Sequence, residues 1–527
     1  MRPGGNGRIC IAGTMAGALR AVLLSGALVL GGCGGLPNIN FGSGPSPQAA
    51  AAASGNGVPG YIKGFLGGVA ADEPSAALVG REVLSAGGTA GDAAVAVGFA
   101  LAVTLPSRAG LGGGGACLAW RAGAKGPDTG APQAVVFVPP APANPGGVDR
   151  PAAPPMLARG LFLLHLHYGT RRFESLLGPA EQMARSGVTV SRALARDLAV
   201  VAGPLGADPA ARSVFFPAGT PLGEGARFVQ PGLAGTLAQM RRLGIGDLYQ
   251  GGLAHILIDA GRDAGAGLTV GDLRGALPAI APVLSVPADS YSVAFLPPPA
   301  DGGLAAAAAF TALRQDPTAV QAAGQRGLAA AARWRQGGTV DATALIDGRA
   351  ALPPASLPPL PASTSFVVLD RMGDTVACAL TMNNLFGTGR VAGGTGILLA
   401  ASPKVVPPPL LAAALAYDPH RHAFRAAVGG AGQEGAPLAV AVAMAQALAD
   451  PGPTPNPMPA PVPEPGRANV IDCPRELPGD ARACAWATDP RGSGLAIGRD
   501  LGFGANVAEP VGPPLHTGAV PDLTPNR

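Results

Sequence analysis

The segment PASTSFVVLDRMGDTVACALTMNN, residues 361–384, governs the reading of the whole chain. Its apolar runs predict two short strands, Phe366–Asp370 and Thr375–Thr381, because short period-two or wholly apolar runs read as half-buried or buried strands. Just ahead lies ALPPASLPPLPAS, residues 351–363, whose prolines predict an extended, solvated linker. Ser363 and Thr364 stand at the junction. By position alone they read simply as the linker's end.

Outward from this junction the chain alternates helices and strands. A helix is expected from Pro74, with Leu78, Val79, Val83 and Leu84 on one face and Gly87-Gly88 as the stop. Asp92 is placed to cap a second helix, Ala93–Leu105, which is apolar all round and too short for a membrane span. Leu111 and the run Gly112–Gly115 then lead into a strand at Ala116–Trp120. Helices marked by Leu233, Leu237 and Met240, and by Leu253, Ile256 and Leu257, follow in the middle, the first closed by Gly244. A further strand is expected at Ser292–Leu296. This mixed order argues for a layered α/β or α+β fold.

Composition narrows the function classes. The 527 residues carry a formal charge of +4, with 13% charged and 4% aromatic residues. Typical soluble domains are about 25% charged, so the chain is unusually bland. It has no basic run and few stacking platforms, which argues against nucleic-acid binding. Glycine (80) and proline (56) mostly interrupt periodic apolar segments, the pattern of a globular protein with loose stretches. No cofactor is expected, and no cysteine or histidine spacing suggests a metal site.

The first 33 residues read as a lipoprotein signal peptide. Arg8 and Arg20 precede the apolar run Ala21–Leu30, and Leu30-Gly31-Gly32-Cys33 follows. Cys33 stands in what resembles a bacterial lipoprotein box and is the expected lipidation site; Gly34, which is not acidic, then implies an outer membrane lipoprotein facing the periplasm, or a chain otherwise exported and membrane-anchored. Residues 34–58 form a Gly/Ser/Ala/Pro tether. Cys117 and Cys378 lie in apolar segments and read as small core residues. Cys473 and Cys484, close together in a polar stretch, can bridge in an oxidising compartment.

Several motifs in order resemble the gamma-glutamyltransferase family. They are VAADEPSAALVGREVLSAGGTAGD (69–92), GLGGGG (110–115), HYGTRRFESLLGPAEQMARSGVTVS (167–191), PPPADGG (297–303), STSFVVLDRMGD (363–374) and FGTGRVAGGTGILL (386–399). Together they cover most of residues 60–435. The resemblance implies an α+β fold, a four-layer αββα N-terminal-nucleophile hydrolase sandwich, made as a precursor that cuts itself in two. Residues 59–362 then correspond to a large-subunit-like region. Residues 363–510 correspond to a small-subunit-like region with a Pro-rich insert at 451–466, and 511–527 form a tail. The two fragments are expected to pair.

In such an enzyme one hydroxyl cleaves its own chain and then attacks substrate, with the freed amine as its base. The resemblance places Ser363 where a nucleophilic threonine belongs, and Thr364 on the second residue of a Thr-Thr pair. Serine keeps the hydroxyl but loses the methyl that restricts χ1. Thr381 and Asn383 register on positions that support the nucleophile and touch the substrate's amino group. Gly432 and Gln433 register on the oxyanion hole, where main-chain N–H groups act. His165, His167, His420 and His422 suggest no conventional triad.

The departures concern recognition. A gamma-glutamyl head carries a carboxylate and an ammonium, and the family's carboxylate-gripping arginine is replaced by Val138. Lys404 and Val405 stand where an acidic residue is expected, and Leu411 and Ala412 replace a serine pair. Arg108 could supply a substitute positive charge, or be paired structurally. Three functions therefore remain open: a self-processing amidase or acyltransferase acting on a small amide or peptide without the usual head, an inactive scaffold kept for binding or structure, or an ordinary gamma-glutamyl site rebuilt around Arg108.

Overall fold

Both strands expected beside Ser363 form, and the first begins at Ser363 itself, so the serine opens a strand rather than ending a linker. The computed structural model describes residues 66–122, 130–352, 362–449 and 459–498. The expected leader, Cys33, the tether, the tail and much of both Pro-rich segments lie outside the described residues.

Two antiparallel sheets form the centre. The first has seven strands, in spatial order Leu495–Gly498, Gly67–Ala71, Ser363–Asp370, Thr375–Thr381, Gly114–Trp120, Gln133–Phe137 and Ala279–Pro282. The second has six: Ala485–Thr488, Arg467–Leu477, Ala423–Ala431, Ala412–Asp418, Tyr291–Phe295 and Leu284–Ala288. Strands from both sides of the Ala362–Ser363 bond interleave in the first sheet and pair side by side in the second, so the two regions share one framework.

The period-two alternation of each strand assigns its two faces. Phe366 and Val368 pack outward with Val376, Cys378 and Leu380 against helices that include Ala90–Thr104. Val367 and Leu369 face inward with Ala377 and Ala379 and meet Leu415, Ala427 and Ile471 of the second sheet. Helices Gly302–Gln315 and Ala436–Ala449 cover the far face of that sheet. Helix, sheet, sheet, helix: the fold is the α+β αββα sandwich. Sheet faces rich in alanine and glycine allow this close layering. Gly113 is one enabling case, since a Cβ there would lie 2.2 Å from the Thr381 carbonyl oxygen.

The wholly buried helix Ala90–Thr104 is tied to the far end of the Ser363 strand. Asp370 accepts from the Ala90 N–H at 3.0 Å, placing a carboxylate at the helix N-terminus, where it offsets the orphaned amides. The cap of this helix is Thr89, with Asp92 three residues inside it completing a capping box, so the expected capping role of Asp92 moves to its neighbour. Asp92 also accepts from Thr170 and Arg171 main-chain N–H groups, which draw it inward and hold the start of the helix.

Other local expectations need correction. Leu78 and Ile256 are half exposed, because each lies just off the buried stripe of its helix. Cys117 and Cys378 are buried as expected, but they are joined to each other across paired neighbouring strands. Cys473 and Cys484 are also bridged, as anticipated. Among the described residues, no helix is long and apolar enough to cross a membrane, and no group of three or more His, Cys, Asp or Glu could hold a metal ion.

Candidate active site

Ser363 lies on the inward face of its strand, at the strand's first position. It is 1% exposed, and its Oγ has no hydrogen-bond partner among the described residues. A buried hydroxyl without a partner is costly, about 1–3 kcal/mol, so such a group invites a functional explanation. The serine lines a cleft of about 180 Å³ together with Asp72, Arg108, Arg196, Asp197, Gly432 and Gln433. Arg467 and Arg491 complete its basic wall.

Thr381 pairs directly with Ser363 in the antiparallel ladder. Its hydroxyl donates to the Ala362 carbonyl oxygen at 3.0 Å, and the Asn383 main-chain N–H donates to that same hydroxyl at 2.8 Å. A donor thus rests on the carbonyl group that immediately precedes the serine. Asn383 adopts a positive φ of 61°, and its side-chain amide donates to the Ala401 carbonyl oxygen at 2.9 Å. Asn383 is fully buried and does not line the cleft, so in this structure it braces the turn after Thr381.

Thr364 points to the other face of the strand. Its hydroxyl donates to Asp72 Oδ2 at 2.9 Å, and the Ser365 main-chain N–H donates to the same oxygen at 2.9 Å. Asn469, from the second sheet, donates to Asp72 Oδ1 at 2.8 Å and to the Ser365 carbonyl oxygen at 3.0 Å. These bonds clamp the second and third residues of the strand, and tie the strand to the second sheet. Asp72 and Asn469 escaped the sequence reading: Asp72 sits within a quoted motif, but nothing local marks it as the partner of a residue almost three hundred positions away.

Gly432 and Gln433 form the cleft wall opposite, with φ of 99° and 58°. A Cβ at position 432 would sit 1.9 Å from the Pro465 carbonyl oxygen, so both conformation and space demand glycine there. Gln433 holds a left-handed conformation without that freedom, a conformation more common at functional turns than elsewhere.

Arg108 is committed to Asp197 through a two-pronged contact, Nε to Oδ2 at 2.8 Å and Nη2 to Oδ1 at 2.7 Å, the fork geometry that a guanidinium suits. Ser107 Oγ donates to the same carboxylate at 2.7 Å. Burial alone would lower the Arg108 pKa, but Asp197 outweighs it and the net shift is upward, so the guanidinium stays charged. The structural pairing weighed for Arg108 is therefore present, although the residue also faces the cleft. Asp197 had a legible signal: it is a carboxylate between Leu194 and Leu198 on the buried stripe of its helix.

The residues at the expected glutamyl clamp lie elsewhere. Val138 packs against the core between the sheets, Leu411 and Ala412 are buried, and the Lys404 ammonium donates to the Pro142 carbonyl oxygen at 3.3 Å. None of them lines the cleft.

Comparison with known proteins fits this geometry. The gamma-glutamyltranspeptidase family profile matches residues 76–336. The glutathione hydrolase proenzyme of Escherichia coli is 29% identical over 391 residues, which are 64% of this chain and 66% of that protein. The chain belongs to the gamma-glutamyltranspeptidase family. The Bacillus subtilis glutathione hydrolase proenzyme is 32% identical over 252 residues, 45% of this chain and 42% of the relative. The match to these family members thus spans less than two thirds of their length. The fold also matches the crystal structure of cephalosporin acylase from Bacillus halodurans, with a TM-score of 0.67 at 19% identity over 84% of this chain and 97% of the other. The family is one of N-terminal-nucleophile amide hydrolases and acyltransferases, a chemistry compatible with a serine at the head of a central strand.

Proposed function

We propose that this chain is a self-processing amide hydrolase or acyltransferase with Ser363 as its N-terminal nucleophile. The observation that carries the reading is the unpartnered Ser363 Oγ, which opens onto the cleft beside a carbonyl group polarised by Thr381. In the uncut chain, Ser363 Oγ attacks the Ala362 carbonyl carbon, and the Thr381 hydroxyl stabilises charge on its oxygen. Collapse breaks the Ala362–Ser363 amide and leaves an ester, which water hydrolyses. The α-amine so released takes the Ser363 hydroxyl proton when an amide substrate is attacked. Main-chain groups at Gly432 and Gln433 are the candidates to stabilise that second oxyanion, and water or an amine then resolves the acyl-enzyme.

Intact mass tests this reading. Two chains, the smaller beginning at Ser363, are expected from the wild type and a single chain from Ser363→Ala; a single chain from both overturns it.

A second reading is supported by Val138, Leu411 and Ala412, which provide no polar clamp for a glutamyl head, and by Gln433 in the wall. It is an inactive family scaffold serving as a binding or structural protein in the periplasm. Under either reading, the leader ending at Cys33 supports export and a lipid anchor in the outer membrane. Labelled palmitate should enter the wild type but not Cys33→Ala; equal incorporation removes the anchor from the proposal.

A further inference from the structure

The charges around the Ser363 cleft are unevenly committed. Asp72 is taken up by Thr364, Ser365 and Asn469, and Asp197 by Arg108 and Ser107. Arg467 and Arg491, on the far wall, are held by Glu464 and Asp489. Arg196 is different. It is exposed on the helix Arg192–Gly206, lines the cleft, and has no hydrogen-bond or ion-pair partner among the described residues. Among the described residues, the cleft therefore offers one uncommitted cation and no uncommitted carboxylate.

We infer that Arg196 makes this cleft a recognition site for an amide whose acyl chain ends in a carboxylate and carries no ammonium beside it. The inference rests on the nucleophile reading of Ser363 and gives it a substrate class. A guanidinium offers two parallel donors to a carboxylate. A neighbouring ammonium on the ligand would sit among the arginines while Asp72 and Asp197 are already paired, so it would be desolvated without a charge partner. Size agrees. About 180 Å³ is room for several waters, enough for an acyl chain of a few carbons. Arg196 thus lines the cleft itself, which Val138, standing where the family resemblance expects an arginine, does not.

Three small amides separate the contributions: glutaramate has the terminal carboxylate, butyramide lacks it, and glutamine adds the ammonium. Calorimetry with the full chain at low salt should find glutaramate binding about tenfold or more tighter than either of the others. Arg196→Ala should weaken glutaramate by about 10- to 100-fold, the scale of one charge-assisted contact, leave butyramide unchanged, and be partly rescued by Arg196→Lys. Arg196 is exposed, so these variants should fold. Glutaramate binding no better than butyramide, equal binding of glutamine, no binding by any of the three, or no effect of Arg196→Ala overturns the inference. Intact mass of the same samples reports separately on Ser363, so loss of the nucleophile reading is distinguishable from loss of this one.

Discussion

Thr381 lies directly opposite Ser363 on the neighbouring antiparallel strand, and its hydroxyl donates to the Ala362 carbonyl oxygen at 3.0 Å. One residue thus supports the serine's strand and polarises the carbonyl group of the bond that the proposed self-cleavage breaks. Thr381→Val keeps the shape and removes the donor. Self-cleavage should slow by about 100-fold or more, on the scale of losing one oxyanion donor, while Thr381→Ser should retain most of the rate. Timed gels of freshly made protein give the answer; equal rates for valine and threonine would remove Thr381 from the mechanism.

Gly432 should tolerate no side chain. Its φ of 99° and the 1.9 Å approach to the Pro465 carbonyl oxygen force the cleft wall to move in Gly432→Ala. A cost of about 2 kcal/mol or more is expected, since strain and overlap act together. Thermal unfolding should show a clear drop in Tm, accompanied by weaker processing. An unchanged Tm would mean that the turn is freer than its packing implies.

Asn469 should matter although it lies outside the cleft. Asn469→Leu removes the donor shared by Asp72 and the Ser365 carbonyl oxygen, leaving buried acceptors short of a partner at about 1–3 kcal/mol. Asn469→Asp should be worse at neutral pH, because a second carboxylate then faces Asp72. Urea midpoints should rank wild type above leucine above aspartate. The reverse order of the two variants would show that Asp72 does not depend on this amide.

A pH effect follows from the turn between the two central strands. Burial, followed by repulsion from Asp370, pushes Asp374 up to about 7. The folded chain therefore holds this proton more tightly than the unfolded chain does. The resulting stabilisation is complete below the unfolded pKa, near 4, and is lost as pH rises through about 7. Asp374→Asn retains an oxygen that can accept from the Ala122 N–H and has no proton to lose. Its advantage over wild type should grow between pH 5 and pH 8 in denaturant titrations. Parallel curves would refute the assignment.

The strand pair around Ser363 was legible because alternation and apolar runs report burial locally. Thr375–Thr381 appears within the predicted limits, and the helix Pro231–Leu243 closes at Gly244 as its pattern predicts. The start at Ser363 was less visible, since prolines before it and small polar residues at the junction suit both a linker end and a strand head. The basic wall was not legible at all. Arg467 and Arg491 follow a Pro-rich stretch, and Arg196 reads like any exposed residue of an amphipathic helix.

By itself, the sequence determined the layered α+β plan, the family and the position of the hydroxyl at residue 363, since these depend on periodicity and on motif order along the chain. Only the tertiary structure decided which groups that hydroxyl meets. Asp72 joins Asn469 across 397 residues, Arg108 joins Asp197 across 89, and Cys117 joins Cys378 across 261. A local pattern tells whether a side chain is buried, but a buried polar group must then find its partner in space. That choice is made by strand register and by the stacking of the two sheets.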